Sequence, residues 1–196
     1  MSLTTYLSFN KITDYEGNSG QIPQQTNTLA HLCNDLSIRS IIEIGFNAGH
    51  SADTFLSRSL AHVTSFDLQE RECVTLAKGF IDQKYPTRHT LIVGDSTKTI
   101  PLYLKDHPKK KFDLIYIDGG HTEEVAYADL INCKELAHNK TVVIMDDVVL
   151  KIDQQRDWSI GPSKVWAEAI LNGVIHDVYN EFYGPGRGMG WGYYSM

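Results

Sequence analysis

The chain has 196 residues, 42% of them apolar and 21% charged, with 15 glycines and 6 prolines. That length and balance suit one globular domain and exclude disorder, collagen-like repetition and a coiled coil. Lys and Arg total 18 against 24 Asp and Glu, a formal charge of −6. A general nucleic-acid binder is thereby disfavoured, because displacing counterions from phosphates needs a positive face; the run Lys109-Lys110-Lys111 reads as a solvated turn before a strand.

No stretch approaches the roughly 20 apolar residues of a membrane-spanning helix, and the opening residues lack the basic-then-apolar pattern of a signal peptide. Cys33, Cys73 and Cys133 are far apart and odd in number. They are expected to be reduced thiols of a cytoplasmic protein, not a disulfide framework or a zinc site.

Residues 1–20 are polar and read as loop. Residues 26–36 read as a short helix capped near Thr26 or Asn27. Residues 1–37 are thus expected to be a loop and helix covering the active site of a domain that spans 38–196. From there, β-branched runs at 38–45, 62–68, 90–94, 112–118 and 141–146 alternate with segments long enough for crossover helices. In 51–60, Phe55, Leu56 and Leu60 fall on one side; in 123–138, Val125, Leu130, Ile131 and Leu136 form a helical stripe. Near-continuous apolar strands such as Val142-Val143-Ile144-Met145 fit a sheet covered on both faces. Residues 174–183 and 189–196, joined by Gly184-Pro185-Gly186-Arg187-Gly188, read as an antiparallel hairpin closing the sheet edge. The expected fold is α/β and doubly wound: a mostly parallel, seven-stranded Rossmann-like sheet with a C-terminal antiparallel hairpin.

The chemistry gathers where strands end. Glu43-Ile44-Gly45-Phe46-Asn47-Ala48-Gly49-His50-Ser51 closes the first strand. Its glycines let the backbone turn tightly and let a ligand approach the amides that open the next helix. Gly45 and Gly49 are four apart, so the dinucleotide pattern GxGxxG is absent, and a plain strand–helix connection accounts for the same residues. The second strand ends at Phe66-Asp67-Leu68, where a carboxylate has the placement to accept bonds from two ribose hydroxyls or to cap a turn. Asp95, in Gly94-Asp95-Ser96, suits either a helix cap or an adenine amino group. The fourth strand ends at Asp118-Gly119-Gly120-His121 and the fifth at Asp146-Asp147. Strands about 4.8 Å apart would bring Asp118 face to face with that pair. Clustered carboxylates need a proton or a cation, and hard oxygen ligands select Mg²⁺ or Ca²⁺. His121 is the neighbour suited to taking a proton near neutral pH. The other histidines read as structural or surface residues, with His50 set apart by its place in the glycine loop.

Taken together, the glycine loop, Asp67, Gly94-Asp95-Ser96 and above all Asp113-Leu-Ile-Tyr-Ile-Asp-Gly-Gly-His121 resemble the class I S-adenosylmethionine-dependent methyltransferases. The likeness, from about residue 38 onward, is to small-molecule O-methyltransferases with a DGxH fourth strand: those acting on macrolide sugars and, more distantly, catechol. It implies that Gly45, Asn47 and Gly49 wrap the methionine end of the cofactor, with Glu43 beneath the loop and Phe46 and Ser51 also among the cofactor-binding residues. Asp67 and Leu68 would meet the ribose; Gly94, Asp95 and Ser96 the adenine side; and Asp118 the cofactor and the reaction both. It further implies Mg²⁺ on Asp118, Asp146 and Asp147, His121 as catalytic base, and a small-molecule hydroxyl as acceptor. Asp146-Asp147 matches neither the glutamate of the macrolide enzymes nor the Asp-Asn of the catechol enzymes, and the catechol enzymes' lysine base has no counterpart. The segments 15–36 and 151–162, with Trp158, are expected to be loops and helix covering the acceptor, and the N-terminal helix is a candidate surface for a homodimer. The competing readings are a nicotinamide-dependent oxidoreductase, weakened by the missing third glycine, and a non-catalytic nucleotide-binding subunit.

Overall fold

A computed structural model describes residues 1–13, 15 and 19–196. Asp14, which the sequence places in loop, and Glu16, Gly17 and Asn18 of the expected acceptor cover lie outside the described residues. The chain divides into two compact units, Met1–Asp95 and Ser96–Met196.

In the first unit, α1 (Leu3–Phe9) occupies part of the stretch expected to be loop. Leu3 and Leu7, one helical turn apart, are both buried, and the Ser2 side chain accepts a bond from the Thr5 amide. Two apolar residues and a serine cap suffice where Tyr6 also packs on Phe80, with ring centroids 5.1 Å apart. Helix α2 (Pro23–Cys33) begins and ends earlier than expected. Pro23 supplies the preset φ of a first helical residue, and the Thr26 hydroxyl donates to the Ser19 carbonyl at 2.6 Å instead of capping. Then β1 (Ser40–Ile44), α3 (His50–Arg58), β2 (His62–Asp67), α4 (Glu72–Lys84) and β3 (His89–Val93) alternate. β2 pairs in parallel with both β1 and β3, setting Glu43 opposite Ser65 and Asp67 opposite Val93.

The second unit contains α5 (Ser96–Asp106), β4 (Phe112–Ile117), α6 (Glu123–Lys134), β5 (Ala137–Asp146), α7 (Asp157–Leu171), β6 (Ile175–Gly184) and β7 (Arg187–Tyr194). β4 and β5 are parallel, while β7 is antiparallel to both β5 and β6. The hairpin forms where the glycines and proline place it, with Gly184 and Gly186 at φ of 141° and 71°. Helix α6 stops short of residue 138, because Ala137 already pairs with Phe112. The loop expected over 151–162 is helical from Asp157. Ser159 accepts the Arg156 amide through its hydroxyl and donates its own amide to the Arg156 carbonyl, so the first turn closes despite Pro162.

The fold is therefore α/β and Rossmann-like, mostly parallel, with C-terminal antiparallel strands. Among the described residues, no helix is long and apolar enough to cross a membrane.

Candidate functional site

The first unit builds a pinned loop after β1. Gly45, Asn47 and Gly49 all take left-handed φ, 90°, 45° and 74°. At Gly49 a Cβ would come within 2.9 Å of the Phe46 ring, so the sharp entry into α3 needs glycine twice over. Asp67 holds this turn: its Oδ2 accepts the amides of Phe46 at 3.0 Å and Asn47 at 2.9 Å, and its Oδ1 accepts that of Gln69 at 2.7 Å. Leu68 beside it is exposed. The Phe46 side chain turns inward, 1% exposed, and stacks on His89 at 4.9 Å. His50 starts α3 with its Nε2 3.2 Å from the Thr4 hydroxyl and its ring 5.3 Å from that of Tyr15.

Under the loop lies Glu43, fully buried. Burial pushes its carboxyl up to about 7, against the pull of the Ser51 and Ser65 hydroxyls, while the Asp67 charge adds to the rise. Burial likewise pushes His89 down to about 4. Gly94 and Asp95 close β3, the Gly94 amide donating to the Asp67 carbonyl at 2.9 Å.

In the second unit, where Ser96 opens α5, the acidic residues converge. Ligand atoms of Asp118, His121 and Asp147 lie within 4.8 Å of one another. His121 Nε2 stands 3.3 Å from Asp147 Oδ2, and Arg187 Nη1 stands 3.6 Å from Asp147 Oδ1. Asp147 is 2% exposed, with φ of 55°. Burial drives its carboxyl well above the usual range, Asp146 adds to this, and Arg187 opposes it. Its Oδ1 has no hydrogen bond among the described residues. Asp146 is not in the cluster of three; it accepts the Tyr116 hydroxyl at 2.8 Å, and that hydroxyl also lies 3.2 Å from Asp118 Oδ2.

Residues unmarked by the sequence motifs frame this cluster. A Cβ on Gly161 would lie 2.2 Å from the His121 carbonyl, so α7 packs directly on the backbone that carries the histidine. Trp158 donates through Nε1 to the Gly186 carbonyl at 2.9 Å and lies under the Arg187 guanidinium. Tyr116, by contrast, is legible within the fourth-strand motif as the residue two before Asp118, hence on the same face. Arg187 and Gly161 carry no comparable local signal.

Residues 42–148 match the model of a family described as a methyltransferase domain. No curated protein matches by sequence. Among solved structures, an O-methyltransferase from Bacillus cereus in complex with SAH is similar over 98% of this chain and 89% of its own, at 17% identity and a TM-score of 0.77. TomG of Streptomyces achromogenes, an O-methyltransferase of tomaymycin synthesis in complex with SAM, is similar over 99% and 88%, at 16% identity and 0.75. CalS11, a TDP-rhamnose 3′-O-methyltransferase of calicheamicin biosynthesis, is similar over 88% and 78%, at 19% identity and 0.65.

Proposed function

The chain belongs to the methyltransferase domain family, and we propose that it moves a methyl group from S-adenosylmethionine to a hydroxyl oxygen of a small acceptor. The donor supplies an electrophilic methyl on a sulfonium, so the protein's tasks are alignment and removal of the acceptor proton. In the first unit, Gly45, Asn47 and Gly49 shape the turn at the methionine end, and Asp67, Leu68, Gly94 and Asp95 form the nucleoside side, with Ser96 opening the helix after it. Asp67 already accepts three amides, two at Oδ2 and one at Oδ1, and the lone pair left on Oδ1 suits a ribose hydroxyl.

In the second unit His121 takes the acceptor proton. The observation that carries this reading is the placement of His121 Nε2 3.3 Å from the buried Asp147, a contact that orients the ring. The donor set also fits a hard cation: two carboxylates, one with a buried oxygen lacking a hydrogen bond, meet within 4.8 Å. Asp118 and Asp147 would hold Mg²⁺, with Asp146 backing them through Tyr116. When bound, the metal supplies Lewis acidity that lowers the acceptor hydroxyl's pKa. The cluster of three favours one second reading, in which His121 is itself a ligand. The exposed Trp158, against the Arg187 guanidinium that faces Asp147, is the apolar surface offered to the acceptor in this unit.

The test pairs binding with turnover. S-adenosylhomocysteine is expected to raise the melting temperature and NAD(H) to leave it unchanged. Labelled methyl transfer is then followed over an acceptor panel with and without Mg²⁺. His121→Ala is expected to cut turnover about 100-fold while Mg²⁺ and donor affinities hold. Loss of Mg²⁺ affinity instead would make His121 a ligand, and donor binding without transfer to any acceptor would favour a binding subunit.

A further inference from the structure

Three neighbouring strands each contribute one buried polar side chain to a hydrogen-bonded line beneath the glycine loop, and the transfer proposed above makes no use of two of them. Ser65, opposite Glu43 in register, donates its hydroxyl to Glu43 Oε2. Ser65 Oγ also lies 2.9 Å from His89 Nε2. Glu43 and Ser65 are 0% exposed and His89 7%. His89 Nδ1 is buried with no hydrogen bond among the described residues. Its ring carries the inward face of Phe46, so the line ends against the loop itself.

We propose that Ser65 and His89 are positioning residues for the donor-binding loop, and that with Glu43 they form a proton relay with two settings. A hydroxyl has a single proton, so the line can point only one way at a time. With Glu43 ionised, His89 Nε2–H donates to Ser65 and Ser65 donates to the carboxylate. With Glu43 protonated, Glu43 donates to Ser65, Ser65 donates to a bare Nε2, and the imidazole proton sits on Nδ1. The second setting holds one proton more than the first. That proton goes to solvent when Glu43 ionises, with the imidazole neutral throughout.

The surroundings keep both settings within reach. Asp67 favours the protonated carboxyl, while the Ser51 and Ser65 hydroxyls favour the ionised one. Around His89, burial, Lys78 and His62 oppose an imidazolium and Asp82 favours it. Burial prevails, so the line carries at most one negative charge. This inference rests on the methyl-donor reading, because the donor is a sulfonium cation and its demethylated product a neutral thioether. An ionised Glu43 under the loop favours the cation. Binding of S-adenosylmethionine therefore expels the proton, and binding of S-adenosylhomocysteine does so far less.

The relay is tested first in the ligand-free chain, by the nitrogen chemical shifts of His89 from about pH 5 to 9. Wild type is expected to pass from Nδ1–H to Nε2–H with rising pH without becoming doubly protonated; Glu43→Gln is expected to lock one tautomer. A single tautomer across the range in wild type overturns the relay. Calorimetry then tests positioning. Donor affinity in wild type should rise by up to roughly tenfold per pH unit below neutrality and level off above, with product affinity nearly flat. Glu43→Gln should abolish the slope. Ser65→Ala removes a hydroxyl that favours the ionised carboxylate, so it should displace the slope to higher pH and weaken the donor about tenfold near neutrality, and Ser65→Thr should restore both; an undisplaced slope in Ser65→Ala overturns the positioning role. If wild type binds neither ligand, the methyl-donor reading fails and the donor-coupled positioning with it, while the tautomer titration still decides the relay.

Discussion

Two strand-end aspartates with the same look in sequence, Asp67 closing β2 and Asp147 just after β5, meet opposite fates. Asp67 is met by three backbone amides, at 2.7, 2.9 and 3.0 Å. Its charge is spread over the loop that it holds, as in an anion seated on a turn. Asp147 is deeper, and around it stand two other carboxylates, Asp118 and Asp146, a histidine and one guanidinium at 3.6 Å. A buried carboxylate so lightly compensated is costly unless a proton or a cation joins it. The strand end supplies the position; the amides of the following loop decide whether the carboxylate becomes a clamp or a site poised for a ligand.

Asp147→Asn should break the comparison most severely. The substitution keeps the shape and removes the charge, and turnover supported by Mg²⁺ is expected to fall by about 100-fold or more. Its effect on stability should run the other way at high pH. Because the folded-state carboxyl titrates well above 3.8, the folded chain keeps a proton that the unfolded chain has released, and wild type loses stability as pH rises from about 4 towards neutrality and beyond. The variant lacks that loss, so chemical unfolding at about pH 5 and 8.5 should show a shallower decline. Equal declines would mean that Asp147 is not strained by its burial.

Asp67→Ala should come next. It strips the Phe46 and Asn47 amides of their acceptor in a turn where Asn47 already sits at φ of 45°. Losing such bonds costs about 1–3 kcal/mol, so calorimetry with S-adenosylhomocysteine should show affinity weaker by about 10- to 100-fold. Undiminished affinity would remove both the clamp and the ribose assignment.

This contrast also marks what the sequence could and could not reveal. The parallel strands and the hairpin were legible because β-branched runs ending in Gly or Asp carry their own boundaries. Helix α1 was not, since only Leu3 and Leu7 commit it to the core. The start of α7 was hidden by Gly161-Pro162, which read as loop until the packing on His121 required a residue without a side chain. In the acidic cluster, Asp118 and His121 stand on one motif and could be paired by eye. Asp146 and Asp147 could not be told apart, because strand alternation stops at the first and the chain turns left-handed at the second. Arg187 reaches Asp147 from 40 residues further along the chain, and Ser65 and His89 acquire meaning only through strand register.

Tyr116→Phe is the mildest substitution and the one that sharpens the division between Asp146 and Asp147. The ring is 0% exposed, and phenylalanine keeps its packing while deleting a hydroxyl that lies 2.8 Å from Asp146 and 3.2 Å from Asp118. With a single proton to give, that hydroxyl serves one carboxylate at a time, Asp146 through the shorter contact and Asp118 through the longer. The expected cost in stability is about 1 kcal/mol, from an Asp146 oxygen left short of a donor. Mg²⁺ titration by calorimetry distinguishes the two roles of Asp146. If Asp146 only backs the site, losing Tyr116 loosens Asp118 and weakens the metal by a few-fold to about tenfold. If Asp146 is itself a ligand held away by the tyrosine, the same change frees it and the metal binds more tightly. The sign of the shift, more than its size, settles which carboxylates face the cation.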